Sequence, residues 1–514
     1  MATTDTVSTG NVTPPAPDVA AQASPPSHVD VLVVGAGISG IGAAHHLLEQ
    51  RPGTSFTIVE AQSGFGGTWR THRYPGIRSD SDLFTFGYRF KPWEGAPIAT
   101  AEEIMKYLTE VVADDGIDRF IHYDRRITDA SWSGENAAWT VQIVHTDPAT
   151  GEETTETVTC GFLWMCQGYY DHDRPYTPTW EGFDDFAGEV IHPQKWPEGT
   201  DLSGKRVVVI GSGATAATLI PNIAEQCGHV TMLQRSPTYF RAARNADDLV
   251  DQLRALDVPS EWIHEIARRK RVADGQLFAD LARSHPAEVT EELFKGIREI
   301  MGDDYDMSPH FTPEYRPWRQ RVAFVPDGDL FHAFKSGKAS VVTDHIERFD
   351  ADGIQLRSGE RLDADVIITA TGFDLSVLGG IDFEVDGEPM AFHDTVTWRG
   401  AMFTGVPNMV WVFGYFRASW TLRVDILADF VCRLLDHMDA GGHSTVVPAL
   451  SDADADMALG PWVDPDDFNP GYLTRSMHLM PQQGDRQPWR HTQEYVQDRE
   501  TLAAADLDDG LTYS

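Results

Sequence analysis

HVDVLVVGAGISGIGAAHHLLEQRPGTSFTIVE, residues 28–60, decides the fold. A continuous apolar run meets a glycine-rich turn, then helical text, then a second apolar strand, which is the grammar of a βαβ unit. The candidate nucleotide turn is Gly35-Ala36-Gly37-Ile38-Ser39-Gly40. Gly35 permits the tight turn, Gly37 lets the backbone approach a pyrophosphate, and Gly40 allows helix and strand to pack closely. The helix N-terminus then offers free amides and its positive dipole end to the phosphates. Glu60 ends the second strand 25 residues after Gly35, placed to accept hydrogen bonds from a ribose hydroxyl as FAD or NAD requires.

The same grammar returns at GKRVVVIGSGATAATLIPNIAEQCGHVTMLQRS, residues 204–236, with its first glycine 176 residues after Gly35. Its turn is Gly211-Ser212-Gly213-Ala214-Thr215-Ala216, with Ala in the third glycine's place. The matching strand end carries Arg235 and Ser236 instead of an acid. A carboxylate there would repel a 2′-phosphate, whereas a guanidinium grips it in a fork and a hydroxyl adds a hydrogen bond. The second unit is therefore read as an NADPH site and the first as an FAD site, which makes the chain a flavin oxidoreductase.

Working outward, 514 residues with 41% hydrophobic content are enough for two or three domains with sizeable cores. A formal charge of -37 repels phosphate backbones and anionic lipid, so nucleic-acid binding is excluded as a main role. Four cysteines (Cys160, Cys166, Cys227, Cys432) make no disulfide framework, which places the chain in a reducing compartment, the cytoplasm. No Cys precedes Cys160, so the redox pair of a disulfide reductase is missing. No apolar run reaches the roughly 20 residues of a membrane span, and no histidine pattern marks a metal site.

The fold class expected is α/β, with two Rossmann-like dinucleotide-binding domains (FAD and NADP) and a helical insertion in the NADP domain. Residues 1–28, rich in Thr, Pro, Ala and Ser, read as a disordered tail. The FAD-binding domain takes 29–170 and returns at 372–514; the NADP-binding domain takes 171–240 and 319–371, interrupted by charge-rich helical text at 241–318. LRVDILADFVCRLLDHM reads as a long amphipathic helix. Residues 451–514, with 13 acidic against 4 basic residues, read as a solvated, partly extended tail.

Three further motifs carry a resemblance. Phe186-Ala187-Gly188-Glu189-Val190-Ile191-His192-Pro193-Gln194-Lys195-Trp196, followed by Pro197, matches F-x-G-x-x-x-H-x-x-x-W-P. Gly66-Gly67-Thr68-Trp69 with Tyr74-Pro75-Gly76 and Asp80 matches G-G-x-W-x-x-x-x-Y-P-G-x-x-x-D, and Ala370-Thr371-Gly372-Phe373 is a third landmark. On these the chain resembles the type I Baeyer–Villiger monooxygenases over roughly residues 29–500. RYPGIRSDSD, GYLTRSM and RQPWR are most similar to the subgroup of the mycobacterial ethionamide-activating monooxygenase.

The resemblance implies that NADPH reduces FAD and that one atom of O2 is inserted beside a ketone carbonyl to give an ester or lactone, with sulfide oxygenation as a side activity. Main-task oxygenation of sulfur or nitrogen is the alternative, and a non-catalytic NADPH-sensing flavoprotein the remote one. Developing negative charge in such a site calls for a fixed cation in a place that excludes water, and Arg never deprotonates. Residue logic leaves Arg316, Arg319 and Arg321 open, since i and i+2 on a strand share a face; the resemblance selects Arg321, with Asp80 holding its guanidinium. It also implies that Gly67, Thr68 and Trp69 contact FAD and that Arg78, Ser79 and Asp80 mark where nicotinamide meets flavin. Phe186, Gly188, His192 and Trp196 form a fingerprint linker that couples the NADP domain to catalysis. Where several relatives place Lys before the catalytic Arg, this chain has Gln320, which loosens the expected coenzyme selectivity. Oligomeric state and substrate size do not follow from the sequence.

Overall fold

The protein is described by a computed structural model covering residues 24–514. Residues 1–23, most of the expected tail, lie outside the described residues. The tail's expected end at 28 is too late: Ser24 Oγ donates to Glu156 at 2.8 Å, and the Ser27 carbonyl accepts from Thr159 N–H at 3.0 Å. Those bonds fasten the segment to the sheet before the first strand begins.

The first βαβ unit forms as read. The strand His28–Val34 runs into the helix Ile38–Gln50 and then the strand Phe56–Val59. His28–Val34 pairs in parallel with Phe56–Val59 on one side and with the long strand Glu153–Met165 on the other, and Met409–Trp411 pairs in parallel with the latter's last three residues, Leu163–Met165. These strands are buried on both faces, which is why they are continuous apolar runs. The amino half of Glu153–Met165 instead pairs antiparallel with Ala138–Thr146, which pairs with Arg125–Ser133.

The second unit builds a separate parallel sheet in the order Ala339–Thr343, His229–Gln234, Arg206–Ile210, Val366–Thr369, Glu189–Ile191. The helix Ala214–Ile223 follows Arg206–Ile210, as Ile38–Gln50 follows the first strand. Between the halves of this unit stand the helices Asp248–Ala255, Ser260–Ser284 and Pro286–Met301. The proposed insertion boundary at 241 falls inside the strand Phe240–Ala243, which pairs in parallel with Ala323–Pro326 and closes the insertion's neck.

Two expectations are corrected. The helix Trp420–Gly441 is a core helix packed against Ile38–Gln50, and its buried residues include the charged Arg423 and Asp425 as well as its apolar face. The acidic segment 451–514 is no solvated tail, because Trp462, Trp489 and Asp498 are buried in it. Asp498 pairs with buried Arg423 and accepts from Tyr415 Oη at 2.8 Å and Thr492 Oγ1 at 2.6 Å. Net charge over a window misses an acid with a specific buried partner. All four cysteines are buried and unpaired, and among the described residues no helix is long and apolar enough to cross a membrane.

Candidate functional site

The carboxyl ends of both sheets meet at one cavity of about 720 Å³, the place where open parallel sheets bind ligands. Gly35, Gly37 and Ser39 line it from the first turn, and Gly213, Ala214 and Thr215 from the second. Glycine chemistry divides the turn residues into two groups. Gly35 has φ +97° and Gly211 φ +126°, left-handed conformations open to glycine; a Cβ on Gly211 would stand 2.2 Å from the Ala370 carbonyl. A Cβ on Gly40 would stand 1.9 Å from the Gly35 carbonyl, so Gly40 serves the helix–strand contact and does not reach the cavity. Gly37 and Gly213 differ: a Cβ there would meet nothing closer than Gly67 Cα at 3.7 Å, and nothing within 4 Å, respectively. Both turns thus keep an open approach to backbone amides at a helix start, which fits a pyrophosphate.

Glu60 is buried, with one carboxylate oxygen accepting from Ala36 N–H at 2.7 Å and the other from Gln62 N–H at 2.8 Å. Burial raises its pKa against those bonds. It lines the cavity, and each oxygen keeps a second lone pair for a sugar hydroxyl. Gln167, on the same wall, has both side-chain polar atoms buried with no partner among the described residues. Such atoms are normally satisfied, so they fit a ring that donates and accepts. Gly67, Thr68 and Trp69 line the cavity beside them. Ser39 Oγ accepts from Trp420 Nε1 at 2.8 Å, fixing the helix start.

Arg321 and Asp80 come together from opposite domains. Arg321 Nη2 lies 2.5 Å from Asp80 Oδ2, each side chain keeps 32% of its surface exposed, and both line the cavity. Burial lowers the guanidinium's pKa, but the charge of the facing Asp80 raises it and the balance is upward, so Arg321 is a permanent cation. The expected strand geometry does not hold: Trp318 adopts φ +62° and the strand starts only at Ala323, so Arg319 and Arg321 do not share a face. Arg319 instead points to Asp466 at 3.7 Å and Arg316 holds Asp467 at 2.6 Å. Gln320 lines the cavity beside Arg321.

The remaining candidates sit around this centre. Arg78 lines the cavity, yet its guanidinium is taken by Asp329 of the second dinucleotide unit at 2.5 Å. Ser79 is buried against Ala99 and does not reach the cavity. Ser212 bonds Thr238 at 2.7 Å and Ala216 packs in the core. Arg235 and Ser236 are exposed at the strand end, outside the cavity. Phe186 is buried, and a Cβ on Gly188 would meet its ring at 2.5 Å. His192 Nδ1 accepts from Gln194 N–H at 3.2 Å, and Trp196 packs on the core of the second parallel sheet. The fingerprint stretch touches the cavity directly through Lys195 and indirectly through Gln194, whose Nε2 donates to the Asp171 carbonyl at 2.6 Å, Asp171 itself lining the wall. His72 and His172 line it too, their rings 6.0 Å apart, and burial pushes His72 down to about 3. Sequence reasoning missed these histidines, Gln167 and the tyrosines 169, 170 and 472. A signal existed for two of them: Gln167 and Tyr169 stand in the short loop after the carboxyl end of Glu153–Met165, before the strand Tyr170–Pro175 that carries Tyr170 and His172.

This architecture recurs in known proteins. A model described as an NAD(P)-binding Rossmann-like domain matches residues 33–93, and one described as flavin-binding monooxygenase-like matches 96–248. The FAD-containing monooxygenase EthA of Mycobacterium tuberculosis is 43% identical over 490 residues, 95% of this chain and 98% of the relative. The chain belongs to the flavin-binding monooxygenase-like family. Flavin and a nicotinamide dinucleotide are accordingly its cofactors. Another family relative, the probable FAD-binding monooxygenase AlmA of an Acinetobacter species, is 42% identical over 94% of this chain and 95% of its own length. Among solved structures, an oxidized steroid monooxygenase bound to NADP shares the fold with a TM-score of 0.73 at 24% identity, covering 95% of this chain and 99% of that one. Cyclohexanone monooxygenase bound to epsilon-caprolactone shares it with a TM-score of 0.72 at 21% identity, covering 95% and 100%.

Proposed function

We propose that this flavin monooxygenase uses NADPH and O2 to insert an oxygen atom next to the carbonyl of a small-molecule ketone, giving an ester or lactone. The observation that carries this reading is the Arg321–Asp80 pair, held at 2.5 Å on the wall where both dinucleotide turns converge. The bound flavin, once reduced, supplies oxygen activation. Arg321 supplies a cation that stays charged at any working pH and is aimed where negative charge develops, an arrangement that lowers barriers because it needs no reorganisation. Asp80 fixes its orientation and keeps the pair near neutral, so the site does not simply trap anions.

In this reading the 35–40 turn with Glu60 takes FAD, and the 211–216 turn takes NADPH, with Arg235 and Ser236 receiving the 2′-phosphate. Gln320 leaves that phosphate one cation fewer than Lys would. His192 and Trp196 pass the position of the NADP domain to the cavity wall through Gln194 and Asp171.

The test is product per NADPH consumed by the purified holoenzyme with a linear methyl ketone in air. Near-stoichiometric ester supports the reading; NADPH consumption with hydrogen peroxide and no ester from any ketone in a size series overturns it. Arg321→Ala should keep FAD and its reduction by NADPH but form no ester, and substantial ester from that variant removes Arg321 from the reaction.

A further inference from the structure

The strand Glu153–Met165 delivers Cys166, Gln167 and Gly168 to the cavity, and then two consecutive tyrosines. Tyr169 stacks on Trp420 with ring centroids 5.0 Å apart, which fixes its position. Its hydroxyl is 2.7 Å from that of Tyr170. Two hydroxyls joined by one hydrogen bond have a second hydrogen to place, and no acceptor for it stands among the described residues. Tyr472 comes from the distant segment 451–514 and closes the cluster, its ring 6.3 Å from that of Tyr170. Its hydroxyl is buried against the Arg321 guanidinium without an aligned hydrogen bond to it or to any other described residue. Burial raises all three phenols well above their ordinary value, so they are neutral donors.

The cluster therefore holds two unspent phenol hydrogens, one from the Tyr169–Tyr170 pair and one on Tyr472, and its single carboxylate, Asp80, is already engaged by Arg321. A buried donor left unpaired is destabilising, and two in one lined cavity call for a ligand atom with lone pairs. Resting on the oxygenase reading above, we propose that the hydroxyls of Tyr170 and Tyr472, with the edge of Arg321 that Asp80 leaves open, form a docking point for the substrate's own oxygen, and that this point selects carbonyl compounds over thioethers. A ketone oxygen accepts two hydrogen bonds, and it gains negative charge as the new carbon–oxygen bond forms. A thioether sulfur is a weak acceptor and gains none. Tyr169 is a positioning residue that holds Tyr170 through the hydroxyl pair.

The test compares a linear methyl ketone with the methyl thioether of equal chain length on the holoenzyme. Binding is read from the change in flavin absorbance without NADPH, and turnover as kcat/KM for each compound. Tyr170→Phe and Tyr472→Phe each remove one oxygen atom. Each should lower the ketone-to-thioether ratio of kcat/KM about tenfold or more and weaken ketone binding relative to thioether binding by about three- to tenfold. Ratios within twofold of the unsubstituted enzyme overturn the proposal, as do equal losses for both compounds, which mark a packing role. The two readings separate cleanly. An enzyme that makes no ester but whose ketone affinity falls selectively in the Phe variants keeps the docking point and loses the ester reaction. One that makes ester with unmoved ratios does the reverse.

Discussion

Gly213→Ala separates nucleotide binding from folding in the second turn. Gly213 has φ -76° and ψ -172°, extended backbone that any residue adopts, and a Cβ there meets no heavy atom within 4 Å. Restricting the unfolded chain favours Ala by about 0.4–1 kcal/mol, while Ala is poorer than Gly as a helix N-cap by roughly 0.5–1 kcal/mol. The two nearly cancel, so the thermal midpoint should hardly move. The methyl instead occupies the space a pyrophosphate needs to reach the amides at the start of Ala214–Ile223. Loss of one hydrogen bond to a charged phosphate is worth about 1.5–3 kcal/mol, or roughly 10- to 150-fold in affinity. The assay is the NADPH concentration dependence of flavin reduction in anaerobic stopped flow, run beside flavin-fluorescence melting. Gly211→Ala is the contrast, since its Cβ would collide with the Ala370 carbonyl at 2.2 Å and the domain itself should fail. A Gly213→Ala protein with full FAD and an NADPH Kd within twofold of the original would refute the assignment of this turn.

Arg235→Ala should weaken NADPH about tenfold or more and NADH less than twofold, because the exposed guanidinium is read as meeting only the 2′-phosphate; equal losses for both coenzymes in the same reduction assay would remove that role. Asp498→Ala strands the charge of Arg423, which is 2% exposed, and should destabilise the protein by about 3–5 kcal/mol in urea unfolding; a change under about 1 kcal/mol would mean the pair is dispensable. Acid should destabilise the fold through buried histidines. Burial pushes His72 down to about 3 and His264 and His491 to about 4, against an ordinary 6.5. Below pH 6.5 the unfolded chain takes up these protons and the folded one does not, so stability present above pH 6.5 is lost on acidification. Asp82, raised by burial to about 6, works the other way and cancels one of the three as pH falls below 6. These four groups together contribute a slope of roughly 3 kcal/mol per pH unit between pH 6 and 4, and urea midpoints that stay level from pH 6.5 to 5 would contradict it.

The legible parts of this chain were those set by short-range sterics. Gly35, Gly37 and Gly40 have separate duties because a tight turn, an open amide and a close helix each impose a local demand on the same six residues, and the structure meets all three. The centre was legible only as a set of candidates. Arg316, Arg319 and Arg321 differ in which acid lies opposite, and those acids, Asp467, Asp466 and Asp80, are 151, 147 and 241 residues away in sequence. No periodicity encodes such a choice. The region 451–514 misled for a related reason. Its charge balance describes solvent-facing positions such as Asp466 and Asp508, whereas Asp498 and Trp489 are decided by Arg423 and the FAD-domain core.

The helical insertion makes the same point about domains. By chain order it interrupts the NADP unit, yet its first half packs as part of the FAD unit: Val250, Ile263 and Ala267 join the core built on the first βαβ unit. Arg268 Nη1 donates to the carbonyls of Phe84, Thr85 and Gly87, and its Nη2 meets buried Asp425 at 2.9 Å. His264 bonds Trp93 N–H at 3.1 Å, and Arg271 reaches Asp82 at 3.0 Å. The second half belongs to the other side, with Val289 and Leu293 packed on Tyr239 and Ile297 in the NADP-domain core. One insertion thus grips both nucleotide domains, one half on each, with a satisfied buried guanidinium on the FAD side. Any relative movement of the two turns has to be taken up inside the insertion or at its neck, where Phe240–Ala243 and Ala323–Pro326 share only four residue pairs. That neck begins two residues beyond Arg321, the residue that meets Asp80 across the cavity, so the same short segment of chain serves both the neck and the site.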